Sequence, residues 1–469
     1  MRFALPCALF LVAGCGEGHP RASSSTTGHP TSTTSGGGVN GSSSTTQPSA
    51  ATTAAKCSNI PVTAASALGT MTPQTENLFC NLATENGKVL WGVQDYPGDG
   101  PGQNTNTDQG VYDLTAQGGD PQWPGFVETS FYPNTPNRRG NGAFVTKIVQ
   151  QQYEHGGVAG VLWQPTDPAT QLRKGQQRSV GNSTGVDVCS QIVPGSVDYN
   201  SSVGTYFQYE LNSLVTELNS FIIPNTSVKI PVLLRLLPEM NGDWDWWGHG
   251  STGSKPGYCT PTEYRSLYQY VVEWLAGAAS GETSGLPAVH NALTVWAVAG
   301  STQVTESSLA RAISPFYPGA AYVDVVAMDD YDLGQGSKEV MTQSSVVMSR
   351  LSSLIGFASS NNKMPAMAEG ENGSADSIPG YWSDYFCALS SDTSCEDQSS
   401  NDLRGLRYAM VWFNKPPKNY APSPSASGVG GGFVAGLEQS STKSHISMAR
   451  SAGASNTAVD PWFCDNQTC

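Results

Sequence analysis

The chain has 469 residues, 38% hydrophobic and 13% charged, with a formal net charge of −14, enough for one large domain or two ordinary ones. The acidic balance excludes nucleic acid as a partner. So little charge beside 51 Gly and 30 Pro argues against a cytosolic enzyme and for an exported, loop-rich one.

In chain order, Arg2 precedes an apolar run from Phe3 to Val12, too short to span a bilayer and suited to a signal-peptide core. The run ends Leu11-Val12-Ala13-Gly14-Cys15, which is similar to a bacterial lipobox. That implies a signal peptide over 1–15 and lipidation of Cys15. Gly16 follows with no acidic retention residue, so the expected location is the bacterial cell envelope, as an outer-membrane or cell-surface lipoprotein, or a secreted form. The only membrane contact expected is that lipid anchor. Residues 16–56 are Ser, Thr, Gly and Pro with almost no apolar side chains, a composition that cannot bury enough surface to fold and reads as a tether. From Cys57 to Cys469 the composition is that of one globular domain, expected to act as a monomer. Beyond Cys7 and Cys15, eight Cys remain, an even set that reads as disulfides in an exported chain. Cys387–Cys395 and Cys464–Cys469 are the expected local pairs.

Within that domain eight short runs read as strands: 88–93 (KVLWGV), 124–129, 157–163 (GVAGVLW), 229–237 (KIPVLLRLL), 292–298 (ALTVWAV), 323–328 (VDVVAM), 365–369 (PAMAE) and 407–413 (RYAMVWF). Several are apolar on both faces, as buried parallel strands are. Helical spacing runs over 142–155, 206–221, 262–278 and 340–359, with Thr262 as a cap for the third. Eight strands with intervening helices predict a (β/α)8 TIM barrel with long loops; a doubly wound open sheet is the alternative.

Barrel enzymes carry their chemistry at the C-terminal ends of strands. Two runs end in a carboxylate: the fourth in Glu239, followed by Met240-Asn241-Gly242-Asp243-Trp244-Asp245-Trp246-Trp247-Gly248, and the seventh in Glu369. Two acids across a cleft walled by indoles are what glycosidic bond cleavage requires. One must be protonated to assist the leaving oxygen, which an apolar surround promotes, and the other ionised to attack the anomeric carbon. Either acid alone reads better as a structural partner of an arginine; together with the Trp cluster they read as catalytic.

Arg235, Glu239-Met240-Asn241-Gly242 and Trp244-Asp245-Trp246-Trp247-Gly248 resemble the acid/base motif of glycoside hydrolase family 26, most members of which are endo-β-1,4-mannanases and a minority of which cut xylan or mixed-linkage glucan. Weaker likenesses follow in order: Trp91-Gly92-Val93-Gln94 in the first strand, 157–168 in the third, Val323-Asp324 with Asp329-Asp330-Tyr331 in the sixth, and Val411-Trp412-Phe413-Asn414 with Asn419-Tyr420-Ala421-Pro422 in the eighth. The resemblance implies a retaining double displacement on mannan, galactomannan or glucomannan, with Glu239 as general acid/base, Glu369 as nucleophile and no metal or cofactor. It implies that Tyr331 hydrogen-bonds the nucleophile and Arg235 orients or neutralises a carboxylate. Trp163, Trp244, Trp247 and Trp412 would wall the sugar site, with Gln164 and Asn241 as further contacts. Three positions depart from the family's pattern. Pro238 and Gln164 stand where it usually has His, which leaves another β-glycan, or a non-catalytic glycan-binding protein, as alternatives. Proline there directs Leu237 to extended backbone. At the nucleophile, Glu371 fits the family's Glu-x-Gly spacing, whereas Glu369 fits the apolar strand and is chosen.

Gly181-Asn182-Ser183-Thr184-Gly185 matches a nucleophile elbow by spacing, but no apolar strand precedes it. His249 reads as a solvated loop histidine, and the six His show no paired ligand spacing.

Overall fold

Eight parallel strands close on themselves in the computed structural model, which describes residues 67–84, 89–94, 122–123, 125–132, 142–170, 188–193, 200–249, 259–277, 285–300, 309–332, 345–370, 405–412, 446–447 and 449–450. The strands are β1 (Val89–Gln94), β2 (Phe126–Phe131), β3 (Val158–Trp163), β4 (Val232–Leu236), β5 (Ala292–Ala299), β6 (Val325–Asp330), β7 (Met364–Gly370) and β8 (Tyr408–Val411). Each pairs with its sequence neighbour, and β8 pairs in parallel with β1 through Leu90↔Tyr408 to Val93↔Val411. That last pairing makes a barrel and rules out the open sheet. Short pairings at Ile446–Ser447 against β1 and between Gln122–Trp123 and Ala449–Arg450 flank it.

The strands are apolar on both faces because both are covered. One set of alternate residues, including Leu90, Phe126, Val158, Leu233, Val295, Ala327, Ala366 and Tyr408, forms the inner core. The other, including Trp91, Val127, Val161, Leu234, Trp296 and Val326, packs under the helices. Gly160 has no room for a Cβ, which would lie 2.6 Å from the Phe126 ring and 3.2 Å from Glu128 Cβ; the small residue lets both side chains cross the barrel.

The helices are α1 (Pro73–Thr84), α2 (Gly142–Glu154), α3 (Val188–Ile192), α4 (Ser202–Ser220), α5 (Pro261–Leu275), α6 (Leu309–Ile313) and α7 (Ser345–Ser360). Helix α1 is absent from the sequence reading. Its Leu78, Phe79 and Leu82 join the inner core, and Thr72 N donates to His290 O just before β5, so α1 plugs the barrel at the end opposite the strand C-termini. Among the described residues no helix is long and apolar enough to cross a membrane.

The cap of α5 is Thr260, not Thr262. Its Oγ1 accepts from Glu263 N (3.2 Å), Glu263 Oε2 accepts from Thr260 N (2.6 Å), and Pro261 occupies the first turn. The reciprocal box starts the helix two residues earlier than apolar spacing shows. Thr260→Ala is expected to lower stability by about 1 kcal/mol, read as a lower urea midpoint at unchanged slope. Immediately before it, Cys259 forms a disulfide with Cys189 of α3 (Cα–Cα 5.5 Å). The expected pairs Cys387–Cys395 and Cys464–Cys469, like Cys15, the tether, Glu371 and residues 181–185, lie outside the described residues.

Candidate active site

The acid at the end of β4 stands on a strained turn. Leu237 and Glu239 both have positive φ, 43° and 57°, a region that side chains with a Cβ enter at a cost of about 1–3 kcal/mol. The expectation that Pro238 extends Leu237 is therefore wrong, and tertiary hydrogen bonds are the reason. Tyr264 Oη donates to Leu237 O (2.9 Å), Trp247 Nε1 to Pro238 O (2.8 Å) and Gly242 N to Glu239 O (2.8 Å), while Glu239 N donates to Ala297 O of β5 (2.9 Å). With each carbonyl of the turn held, local preference loses. The Glu239 carboxylate accepts from Trp244 Nε1 at 2.8 Å. Gly242 permits this, because a Cβ there would lie 2.3 Å from the Trp244 ring.

The acid at the end of β7 reaches the interior through a bulge. Register with β6 runs Met328↔Met367 and then Asp329↔Glu369, leaving Ala368 as the extra residue. Without it the parity of Met364, Ala366 and Ala368, all in the inner core, would send Glu369 outward; bulges re-aim side chains in this way beside active sites. Glu369 is 8% exposed. Its Oε1 accepts from Gln94 Nε2 (2.9 Å) and from Arg235 Nη2, and its Oε2 accepts from Tyr331 Oη.

Arg235 lies wholly buried beneath this acid. Its Nε and Nη2 fork onto Glu128 of β2 (3.1 and 2.6 Å) and its Nη1 donates to Asp329 Oδ2 (2.9 Å). Gln94 Nε2 also donates to Glu128 (3.1 Å). Burial, against the lowering effect of Arg235, pushes Glu128 up to about 7. Tyr331 is held neutral, far above its usual range, first by burial and then by the charges of Glu369 and Glu239. Both acids thus act on one tyrosine. Trp412 stands edge-on to it, with ring centroids 6.0 Å apart at 81°. No group of His, Cys, Asp or Glu among the described residues could hold a metal ion; the Arg235 guanidinium fills the centre of the carboxylate cluster.

Several expected sugar contacts are placed elsewhere. Trp163 and Trp247 are fully buried, Trp163 against Phe207 and Trp247 spending its N–H on Pro238; they back the wall without facing its surface. Asn241 has both ends of its amide on Ala299, Nδ2 to O (2.7 Å) and Oδ1 from N (2.8 Å), so it clamps the loop to β5. Arg235 has no exposed surface and spends its guanidinium on three carboxylates. Gln164 is 6% exposed and accepts from Tyr132 Oη at 3.4 Å. Among the described residues, Trp244 and Trp412 are half-buried indoles following the C-terminal ends of β4 and β8. His249 is half-buried: Nδ1 lies 3.0 Å from Cys259 O and the ring meets Phe316 edge-on. Glu128 escaped the sequence reading, although a charge inside the run Phe126–Phe131 had to have a buried partner.

A closed parallel barrel with carboxylates and indoles at the C-terminal ends of its strands is the architecture of a glycoside hydrolase. Residues 125–396, more than half of the chain, match the profile of glycosyl hydrolase family 26, and the chain belongs to that family. It is 24% identical over 236 residues to a mannan endo-1,4-β-mannosidase of Bifidobacterium adolescentis, covering 48% of this chain and 20% of that protein. A mannan endo-1,4-β-mannosidase of Bacillus subtilis is 29% identical over 121 residues, 26% of this chain and 29% of the relative. The chain therefore spans less than a third of the length of these curated relatives. In fold it is similar to a modular endo-β-1,4-mannanase from Cellulomonas fimi (TM-score 0.64, 20% identity, 87% of this chain and 80% of that one).

Proposed function

We propose that the protein is an endo-acting, retaining β-1,4-mannanase in which Glu369 attacks the anomeric carbon and Glu239 first protonates the leaving oxygen, then activates the water that releases the sugar. The observation that carries the reading is the asymmetry of the two acids. Gln94, Tyr331 and the cationic Arg235 converge on Glu369, an environment that favours a carboxylate able to attack. Glu239 takes the neutral indole N–H of Trp244 beside half-buried aromatic surface. Trp244 and Trp412 would stack on sugars, Trp412 beside the reacting one. Mannan, galactomannan or glucomannan is the substrate class, supported by the family and by the mannan endo-1,4-β-mannosidase activity for which the two relatives are named. The lipobox-like Leu11–Cys15 and the tether after it support display on the cell envelope, and the monomer is the working form.

Incubating the purified protein with galactomannan should release short oligosaccharides, and Glu239→Ala should lower turnover by about 10²–10⁴-fold. Hydrolysis of xylan or mixed-linkage glucan but not mannan would replace the substrate assignment, a second reading favoured by Pro238 and Gln164. Mannan binding without hydrolysis would end the enzyme reading.

A further inference from the structure

Three carboxylates share one guanidinium beneath Glu369, and they do not share it equally. Glu128 takes two prongs of Arg235 and the Gln94 amide, while Glu369 takes Nη2, Gln94 and Tyr331. Asp329 takes Nη1 alone, and its Oδ1 is buried with no hydrogen-bond partner. Asp329 also stands in register with Glu369 on the neighbouring strand, where two like charges repel. An ionised oxygen with no donor, next to a second carboxylate, is the least stable site for charge in the cluster.

We propose that Asp329 is a protonated, uncharged positioning residue at neutral pH, holding Arg235 under the nucleophile without setting a second negative charge beside it. The proposal rests on the reading of Glu369 as nucleophile for its purpose, and on the geometry alone for the proton. The charged and titratable groups facing Asp329 are Arg235 from β4, Glu128 from β2, Glu369 from β7 and Glu239 beyond β4. Tyr331 and, from β8, Tyr408 face it too. Burial first, then Glu369, Glu239 and Glu128, raise Asp329 far above the usual carboxylate range against the single lowering effect of Arg235. Neutral Asp329 leaves Arg235 to answer Glu128 and Glu369, so the cluster carries one negative charge fewer than it would with Asp329 ionised.

Asp329→Asn copies a neutral acid in shape, its carbonyl accepting from Arg235 and its amide replacing the carboxylic hydroxyl. The infrared difference spectrum of wild type minus D329N at neutral pH should contain the carbonyl band of a buried protonated carboxylic acid. Stability supplies a second readout. A folded-state pKa raised above the unfolded value makes stability fall as pH rises. Glu128 contributes such a slope only up to about 7. Above that the wild type should keep an extra slope, approaching about tenfold in the folding constant per pH unit, which D329N lacks. Hydrolysis by D329N should stay within about tenfold of wild type, that is within about 1.4 kcal/mol of transition-state stabilisation. A difference spectrum without the acid band, equal slopes, or failure of D329N to fold would each overturn the proposal. The spectrum and the slopes need no turnover, so they stand or fall independently of the mannanase reading, whose own failure shows as Glu369→Ala retaining wild-type hydrolysis.

Discussion

Glu369→Ala should lose more turnover than any other single substitution, beyond the about 10²–10⁴-fold expected for removing an acid/base. On the proposed mechanism the reason is covalent: the first displacement would form the bond between the anomeric carbon and Glu369 as the glycosidic bond breaks, and alanine offers no atom for it. Azide separates the roles of the two acids. In Glu369→Ala the vacated space admits azide to the face the nucleophile used, and Glu239 still protonates the leaving oxygen, so an aryl β-mannoside should yield the α-glycosyl azide. In Glu239→Ala the ester on Glu369 still forms from a substrate with a good leaving group, and azide displaces it to give the β-glycosyl azide. Product anomers read by NMR check both expectations. An α-azide from the Glu239 variant would exchange the two roles, and undiminished hydrolysis by Glu369→Ala would remove the double displacement altogether.

The barrel was legible because its strands are buried on both faces: each of the eight apolar runs in the sequence is a strand of the closed sheet, and both candidate acids close one. What stayed hidden depends on contacts between segments. The cap at Thr260 is a polar signal two residues ahead of the apolar spacing. The bulge at Ala368 is defined only by the register of β6, so parity along β7 alone places Glu369 on the wrong face. Leu237 is left-handed because Tyr264, Trp247 and Ala297 hold the turn from other elements. Counting Trp residues near an acid could not tell Trp244, at the mouth, from Trp247, behind it. The ion cluster was half visible: Arg235 inside an apolar run demands a partner, but Glu128, 107 residues earlier, is brought to it only by closure of the barrel.

Arg235→Met should cost the fold about 3–5 kcal/mol, the range for removing one partner of a buried ion pair. Methionine fills much of the volume, so the loss is electrostatic: the carboxyls of Glu128, Asp329 and Glu369 would lose the cation that faces all three. The pH dependence distinguishes this from a packing defect. In the wild type Glu128 sits at about 7 with Arg235 pulling it down against burial. Its folded-state value exceeds its unfolded one, so its contribution to stability is complete below about 4.5 and is lost as pH rises toward 7. Removing Arg235 takes away the lowering influence, raises the folded-state values further and widens that window upward. The penalty of R235M should therefore shrink as pH falls toward 5, where the orphaned acids can be protonated in the fold, and grow as pH rises. Urea midpoints of wild type and variant across that range measure it. Arg235→Lys should recover little, because a point charge on a flexible stem cannot reproduce the fork on Glu128 while also reaching Asp329 and Glu369. A pH-independent deficit would mean that the arginine acts through its packing, and a lysine variant as stable as the wild type would mean that its charge alone suffices.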